Sequence, residues 1–325
     1  MGHVTAPAPM KARCDAAIDW SCPRPLAALA AQGYLDPGVW AADLKVDGTR
    51  ATLVMGAQRN RFAGTRSESF PRFRDAVVPD LAGTCLDGEF LATPPKGEPA
   101  TLGYSTGLFN SGPKHARDVM AVNGPPRFLV FDVTHVKGAP VTGHPYAKRR
   151  AHLEIIVGWI RQAHPECGIE ACPQVELTEQ AIAAAIKGGA EGVVLKRLDS
   201  PYVPGGRPHT WQKVKALFTA DLVITGYRPG NGYNTGKVGA VEVSVYTTEG
   251  ELRPVAHVGL KPKMREDMTA PDGSLWPKFY GQVIEVAGHG VTPYGRINLP
   301  IAVRMRADKR KEDCGEDQLD AALIV

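Results

Sequence analysis

Lys45-Val46-Asp47-Gly48-Thr49-Arg50 is the stretch on which the reading of this chain turns. Before it, Trp40, Ala42 and Leu44 alternate with their neighbours; after it, Ala51–Met55 is rich in apolar and β-branched residues. Strand-like runs on either side of a Gly48 turn predict a hairpin, with Lys45 at the end of its first strand. An ordinary lysine titrates near ~10.4, so only about one in a thousand is neutral at pH 7.4. A neighbouring cation or burial can lower that value until the amine attacks as a nucleophile. Asp47 can position it, Gly48 allows close backbone approach, and Arg50 can hold a phosphate or ribose. The same residues also fit a surface hairpin with an Asp-Gly turn and no chemistry.

Five further stretches carry chemistry-bearing residues. Leu86-Asp87-Gly88-Glu89-Phe90 delivers a carboxylate from a short strand, Cys85–Leu91, although Asp-Gly also marks a plain turn. Phe131-Asp132 ends an apolar strand, where an aromatic ring can stack on a purine or fill a core. Glu191-Gly192-Val193-Val194-Leu195-Lys196 sets a carboxylate and a cation at the two ends of a buried strand. In Trp211-Gln212-Lys213-Val214-Lys215, alternation puts Lys213 and Lys215 on one face. Like charges side by side repel unless an anion bridges them, and phosphate is the natural candidate. Arg304-Met305-Arg306-Ala307-Asp308-Lys309 alone is an ordinary charged tail. Together, in this order, the set makes up the parts for nucleotidyl transfer. An amine attacks an α-phosphate, carboxylates hold a divalent metal, and lysines offset charge in the transition state.

Composition bounds the rest. In 325 residues, 43% are hydrophobic and 22% charged, which excludes disorder as the main state and suggests two domains. No apolar run approaches the ~20 residues that span a bilayer. Residues 1–10 carry no basic and apolar segments of a signal peptide, which points to a cytoplasmic protein. Six cysteines without a CxxC pair read as reduced structural thiols, and nine scattered histidines offer no metal site. Residues 1–219 hold 25 Lys+Arg against 20 Asp+Glu (+5), and the remainder holds 13 against 14 (−1). That surplus permits a polyanionic partner without demanding one. Gly230 to Lys237 imitates a phosphate loop but has Asn231 where the first Gly belongs and Val238 where Ser or Thr belongs. It reads better as a hairpin loop.

Helical spacing of Leu153, Ile156, Val157 and Ile160 predicts a helix over Tyr146–Ala163. Thr178 and Gly188 bracket a second. After Ala216–Ala220 come short strands, Leu222–Tyr227, Gly239–Tyr246, Arg253–Val258 and Gly281–Ala287, a spacing that suggests a small β-barrel.

The set of motifs resembles the covalent nucleotidyltransferase superfamily, and within it the ATP-dependent DNA ligases of minimal, two-domain type. KVDGTR looks like that family's motif I, LDGEF motif III, FDV motif IIIa, EGVVLK motif IV, WQKVK motif V and RADK motif VI; Thr65-Arg66-Ser67 looks like a variant of motif Ia. The resemblance spans about Pro25 to Lys309. It implies an α+β fold: an ATP-grasp-like adenylyltransferase domain of antiparallel sheets with flanking helices over residues 21–219, then an OB-fold β-barrel over 220–325. Residues 1–20 are expected to be a weakly ordered lead-in.

The resemblance also implies roles. Lys45 would carry AMP, with Asp47 and Arg50 as catalytic neighbours. Asp43, Arg50, Arg66, Glu89, Phe131, Lys213, Lys215, Arg306, Asp308 and Lys309 would bind the nucleotide. Of these, Phe131 would stack on adenine, and Arg306, Asp308 and Lys309 would orient the leaving pyrophosphate. Glu89 and Glu191 would hold Mg2+ or Mn2+, while Arg66, Arg72 and Arg74 would contact DNA. The implied activity is sealing of nicks in duplex DNA, with ATP as cofactor, by a monomer serving DNA repair, replication or recombination. Two departures stand out. Asp43 occupies a position where these ligases often have Glu, and Glu68 stands where motif Ia commonly ends in Gly. A capping guanylyltransferase or an RNA ligase shares parts of the pattern, and a non-catalytic OB-type binder would need none of Lys45.

Overall fold

In a computed structural model, the described residues are 5–13, 27–63, 69–98, 102–188, 190–215, 218–292 and 294–320. They form two compact units. The first holds Leu29–Ala185 and Gly192–Val214 together with residues 5–13; the second holds Ile186–Glu191 and the chain from Lys215 on.

The strands around the first unit are β1 (Trp40–Lys45), β2 (Thr49–Val54), β3 (Arg61–Phe62), β4 (Cys85–Leu91), β5 (Arg127–Val136), β6 (Ala139–Pro140), β7 (Ile169–Ala171), β8 (Gln174–Val175), β9 (Gly192–Arg197) and β10 (Trp211–Lys215). They build two sheets, one in the order β10-β9-β1-β8 and one in the order β3-β2-β4-β5-β6, with β7 added beside β5. Here the hairpin expectation fails. β1 pairs with β8 and β9, whereas β2 pairs with β3 and β4, so Val46–Gly48 carries the chain from one sheet to the other. Strand character was legible on both sides of Gly48, but alternation says nothing about which strand is the partner. The crossing leaves Lys45 at the junction of the sheets. A Cβ on Gly48 would lie 2.5 Å from the Phe90 carbonyl oxygen, so the junction admits no side chain.

Asp87-Gly88 does not turn. It runs through the middle of β4, where a Cβ on Gly88 would meet the Leu129 carbonyl oxygen at 2.6 Å and the Phe128 ring at 2.7 Å. Beneath this sheet lies an aromatic core. Phe62 packs edge-on against Phe70, Phe73, Phe90, Phe109 and Phe128 with ring centroids 5.2–6.4 Å apart. The helix Tyr146–Ala163 buries Leu153, Ile156, Val157 and Ile160, the residues whose spacing predicted it. It is tied to β5 by a fully buried ion pair, Arg149 Nε to Asp132 Oδ1 at 2.8 Å, with the Arg149 guanidinium also donating to the His144 and Ser200 carbonyls. Thr178 caps the helix Glu179–Lys187 by accepting from the Ala181 amide at 3.1 Å.

Residues 5–13 overturn part of the expected lead-in. Met10 is fully buried, and the segment is hydrogen-bonded to the 202–213 region. Residues 1–4 and 14–20 lie outside the described residues.

In the second unit β11 (Phe218–Pro229), β12 (Val238–Tyr246), β13 (Leu252–Gly259), β14 (Val283–Gly288) and β15 (Ile301–Met305) close into a barrel in the order β11-β12-β13-β15-β14. All its pairs are antiparallel except β13 with β15. Gly230 to Lys237 is the loop between β11 and β12. Strand β15 was not foreseen in the sequence. Among the described residues no helix is long and apolar enough to cross a membrane, and Cys85, Cys167, Cys172 and Cys314 are buried free thiols. Cys14 and Cys22 lie outside the described residues.

Candidate functional site

Lys45 ends β1 opposite Gly192, and alternation places Asp43 on the same side of the strand. Both line a cavity of about 270 Å³, just under the ~300–1,000 Å³ common for small-molecule sites. Arg50 on β2 and Glu89 on β4 stand opposite each other across the strands and reach the same cavity. Phe131 enters from β5, Val194 and Lys196 from β9, and Lys213 from β10. Both sheets therefore contribute, and residues far apart in sequence meet in one place. Asp47 sits outside this lining, and its carboxylate accepts from the Leu102 amide at 3.0 Å. That bond holds the first turn of the helix Leu102–Phe109 against the Val46–Gly48 crossing.

Arg50 is held on several sides. Its Nε and Nη2 donate to the two oxygens of Asp87 at 3.1 and 2.6 Å, and its Nη1 donates to the Met10 carbonyl. Burial works against the guanidinium charge, but the Asp87 carboxylate outweighs it and the pKa lies above the ordinary arginine value. The Tyr202 hydroxyl donates to Asp87 at 2.7 Å and completes the support. Arg50 then lies over the Phe131 ring, 5.2 Å from its centroid.

Asp43 is not an open acceptor. Lys196 Nζ lies 2.6 Å from Oδ2, the Tyr146 hydroxyl donates at 2.8 Å, and Gln174 Nε2 donates to Oδ1 at 3.0 Å. Lys196 is 1% exposed and also donates to the Phe131 carbonyl at 2.8 Å. Its ammonium faces the rings of Phe131, Tyr146 and Trp211 at 4.8, 4.8 and 4.2 Å. One buried cation thus joins the strand of the nucleophile candidate to the strand of the stacking candidate. Cys172 also lines the cavity, but burial pushes its thiol up to about 12, so it is no competing nucleophile.

Glu191 pairs with Lys215 at 2.6 Å. Among the described residues no cluster of three or more His, Cys, Asp or Glu side chains could cage a metal. Mg2+ and its relatives need no such cage when phosphate oxygens and water fill most of their coordination shell. A single carboxylate in the cavity lining, such as Glu89, is compatible with that requirement.

A profile of the ATP dependent DNA ligase domain matches residues 31–215. The chain belongs to the ATP-dependent DNA ligase family. A DNA ligase of Thermococcus onnurineus is 31% identical over 242 residues, 72% of this chain and 42% of that protein. A probable DNA ligase of Streptomyces coelicolor is 28% identical over 309 residues, 89% of this chain and 59% of that protein. The chain spans about half the length of the curated relatives it matches. Among solved structures it is similar in fold to a Lig E DNA ligase, with a TM-score of 0.58, 19% identity, and coverage of 82% of this chain and 92% of that one.

In the barrel of this ligase-family chain, Arg306 binds Asp221 at 2.9 Å and Asp308 at 2.8 Å, and Lys309 lies 3.7 Å from Asp221. Hydrogen bonds from Arg306 hold the Asp308 carboxyl well below the usual range. Arg72 pairs with exposed Glu166 at 3.5 Å, and Arg74 with Asp75 at 2.7 Å. Arg66 lies outside the described residues. The sequence reading assigned no role to Asp87, Tyr202, Lys196, Met10 or Asp221. For Lys196 a signal existed: Val194 and Lys196 alternate with the core residues Val193 and Leu195, so the cation had to share the face of Val194.

Proposed function

We propose that the chain is an ATP-dependent DNA ligase that seals nicks between a 5′-phosphate and a 3′-hydroxyl in duplex DNA. The observation that carries this reading is the meeting of Lys45, Arg50, Glu89, Phe131 and Lys213 in one cavity of about 270 Å³, inside the segment matching the family. Lys45 Nζ attacks the α-phosphate of ATP, forming a P–N bond as the bond to pyrophosphate breaks. The AMP then passes to the DNA 5′-phosphate, and the 3′-hydroxyl displaces it. Phe131 and Val194 hold the adenine, Arg50 and Glu89 the ribose, and Lys213 and Lys215 the α-phosphate. Glu89 would hold a divalent cation, which supplies charge neutralisation at the phosphates. Asp43 acts through Lys196 and Phe131. The adenylyltransferase domain corresponds to the first unit, residues 5–13 included, and residues 220–325 form an OB-fold. The five-stranded order and the lone parallel pair β13–β15 support that assignment. The test is incubation with α-labelled ATP or GTP. An acid-stable adduct from ATP, followed by sealing of nicked duplex, is expected. An adduct from GTP alone would mark a guanylyltransferase instead.

Two further outcomes are expected. Arg306, Asp308 and Lys309 serve only self-adenylylation, so Lys309→Ala should slow adduct formation by about 10²-fold. Sealing of pre-adenylylated nicks should stay near wild type; equal losses in both assays would refute the division of labour. On the first unit, the pairs Arg72–Glu166 and Arg74–Asp75 lie at the surface, where such pairs are worth about 0–1 kcal/mol and DNA phosphates can compete for the guanidinium groups. Replacing both with Ala should reduce the salt slope of log affinity for a nick by about 0.9 for each DNA phosphate these arginines neutralise. Adduct formation on Lys45 should be intact. An unchanged slope places the DNA footprint elsewhere.

A further inference from the structure

The segment before Lys45 does more than lead into the domain. The Ala8 carbonyl accepts from Gly205 N at 3.0 Å, Lys11 N donates to the Gly206 carbonyl at 2.8 Å, and Arg13 N donates to the Trp211 carbonyl at 2.8 Å. Lys213 N donates back to the Arg13 carbonyl at 2.8 Å, so residues 8–13 run as a strap along the 205–213 region. Met10 is its anchor. It is fully buried against Tyr202 and Trp211, with Phe131 packed on the same cluster. Its amide donates to the Tyr202 hydroxyl at 2.9 Å, and its carbonyl accepts from Arg50. The next two residues, Lys11 and Ala12, line the cavity that holds Lys45. Lys11 and Arg207 are both exposed in that lining, beside Lys213.

We infer that Met10–Ala12 is a wall of the nucleotide site: the Met10 backbone positions Arg50, and Lys11 contacts the anionic phosphates of the bound nucleoside triphosphate. This rests on the cavity being the ATP site. The strap explains why Arg50 keeps its place over Phe131, because Asp87 fixes one edge of the guanidinium and the Met10 carbonyl fixes another. It also puts Lys11, Arg207 and Lys213 around the opening, a set that suits a polyanion better than a neutral ligand.

The experiment measures self-adenylylation of the full chain against ATP concentration for wild type, Lys11→Ala, Lys11→Arg and Met10→Ser. Lys11 is exposed, so its replacement leaves the core untouched. Lys11→Ala should raise KM for ATP about fivefold, with a smaller change in the maximal rate. Lys11→Arg should restore most of the affinity. Met10→Ser, which removes the buried anchor, should raise KM about tenfold or more. A KM for Lys11→Ala equal to wild type overturns the inference whatever Met10→Ser does. Failure of the wild-type chain to form any AMP adduct would instead sink the nucleotide-site reading itself, so the two failures are separable.

Discussion

Lys45→Ala is expected to abolish the AMP adduct, lowering self-adenylylation by at least about 10⁴-fold, as removal of a covalent nucleophile does. Two of the other lysines lining the cavity, Lys196 and Lys213, cannot replace it. Lys196 is locked on Asp43 and the Phe131 carbonyl, and Lys213 lies on β10, across β9 from the strand that Lys45 ends. Lys45→Arg should fail equally, because a guanidinium keeps its proton and its charge. Both variants should still seal a nick supplied already adenylylated, since that step needs the DNA hydroxyl rather than the lysine. Radiolabel transfer from ATP and ligation of the two nick types measure this. Full labelling of Lys45→Ala would remove Lys45 from the mechanism.

How much of this was readable beforehand depended on how local the cause was. The helix Tyr146–Ala163 was legible to the residue, because one apolar stripe dictates it. Strand β4 was legible too, yet Asp87-Gly88 inside it mimicked a turn, since the need for glycine comes from Leu129 and Phe128 on the next strand. The split of β1 and β2 between sheets was hidden for the same reason: strand pairing is decided by partners more than 30 residues away. The helix Leu102–Phe109 was missed because Gly103, Ser105, Thr106 and Gly107 are poor helix formers, and burial of Leu108 and Phe109 overrides them. In the site, the short motifs named Lys45, Glu89, Phe131 and Lys213, all of which line one cavity. The groups that hold them were invisible. Tyr202 supports Asp87 across 115 residues and Met10 meets Arg50 across 40, and no spacing rule reports such contacts.

Lys196→Met should cost about 3 kcal/mol of stability, because it removes the cation hydrogen-bonded to the buried Asp43 carboxylate. Asp43 would keep Tyr146 and Gln174 as donors, but no cation within hydrogen-bond distance. Arg150 Nη1, 3.8 Å from Oδ1, remains as a longer-range counter-charge while Nη2 and Nε of the same guanidinium bind Glu154. The thermal midpoint of the first unit should fall by roughly 10 °C. ATP affinity should fall as well, since the Phe131 carbonyl loses the same donor. Asp43→Asn alone should also destabilise, by leaving the Lys196 ammonium in its aromatic surround without a counter-charge. The double variant Asp43→Asn/Lys196→Met removes both charges together. It should be more stable than the sum of the single losses implies, by about 2 kcal/mol. Thermal or urea unfolding of the four proteins closes the cycle. Simple additivity would mean that Lys196 stabilises the unit through its three aromatic neighbours, with Asp43 held independently by Tyr146 and Gln174. Coupling would mean that Asp43 and Lys196 stabilise the unit as one buried pair. Repacking that recovers stability without restoring ATP affinity would then separate the two things the pair does: neutralising Asp43 and holding Phe131 in place.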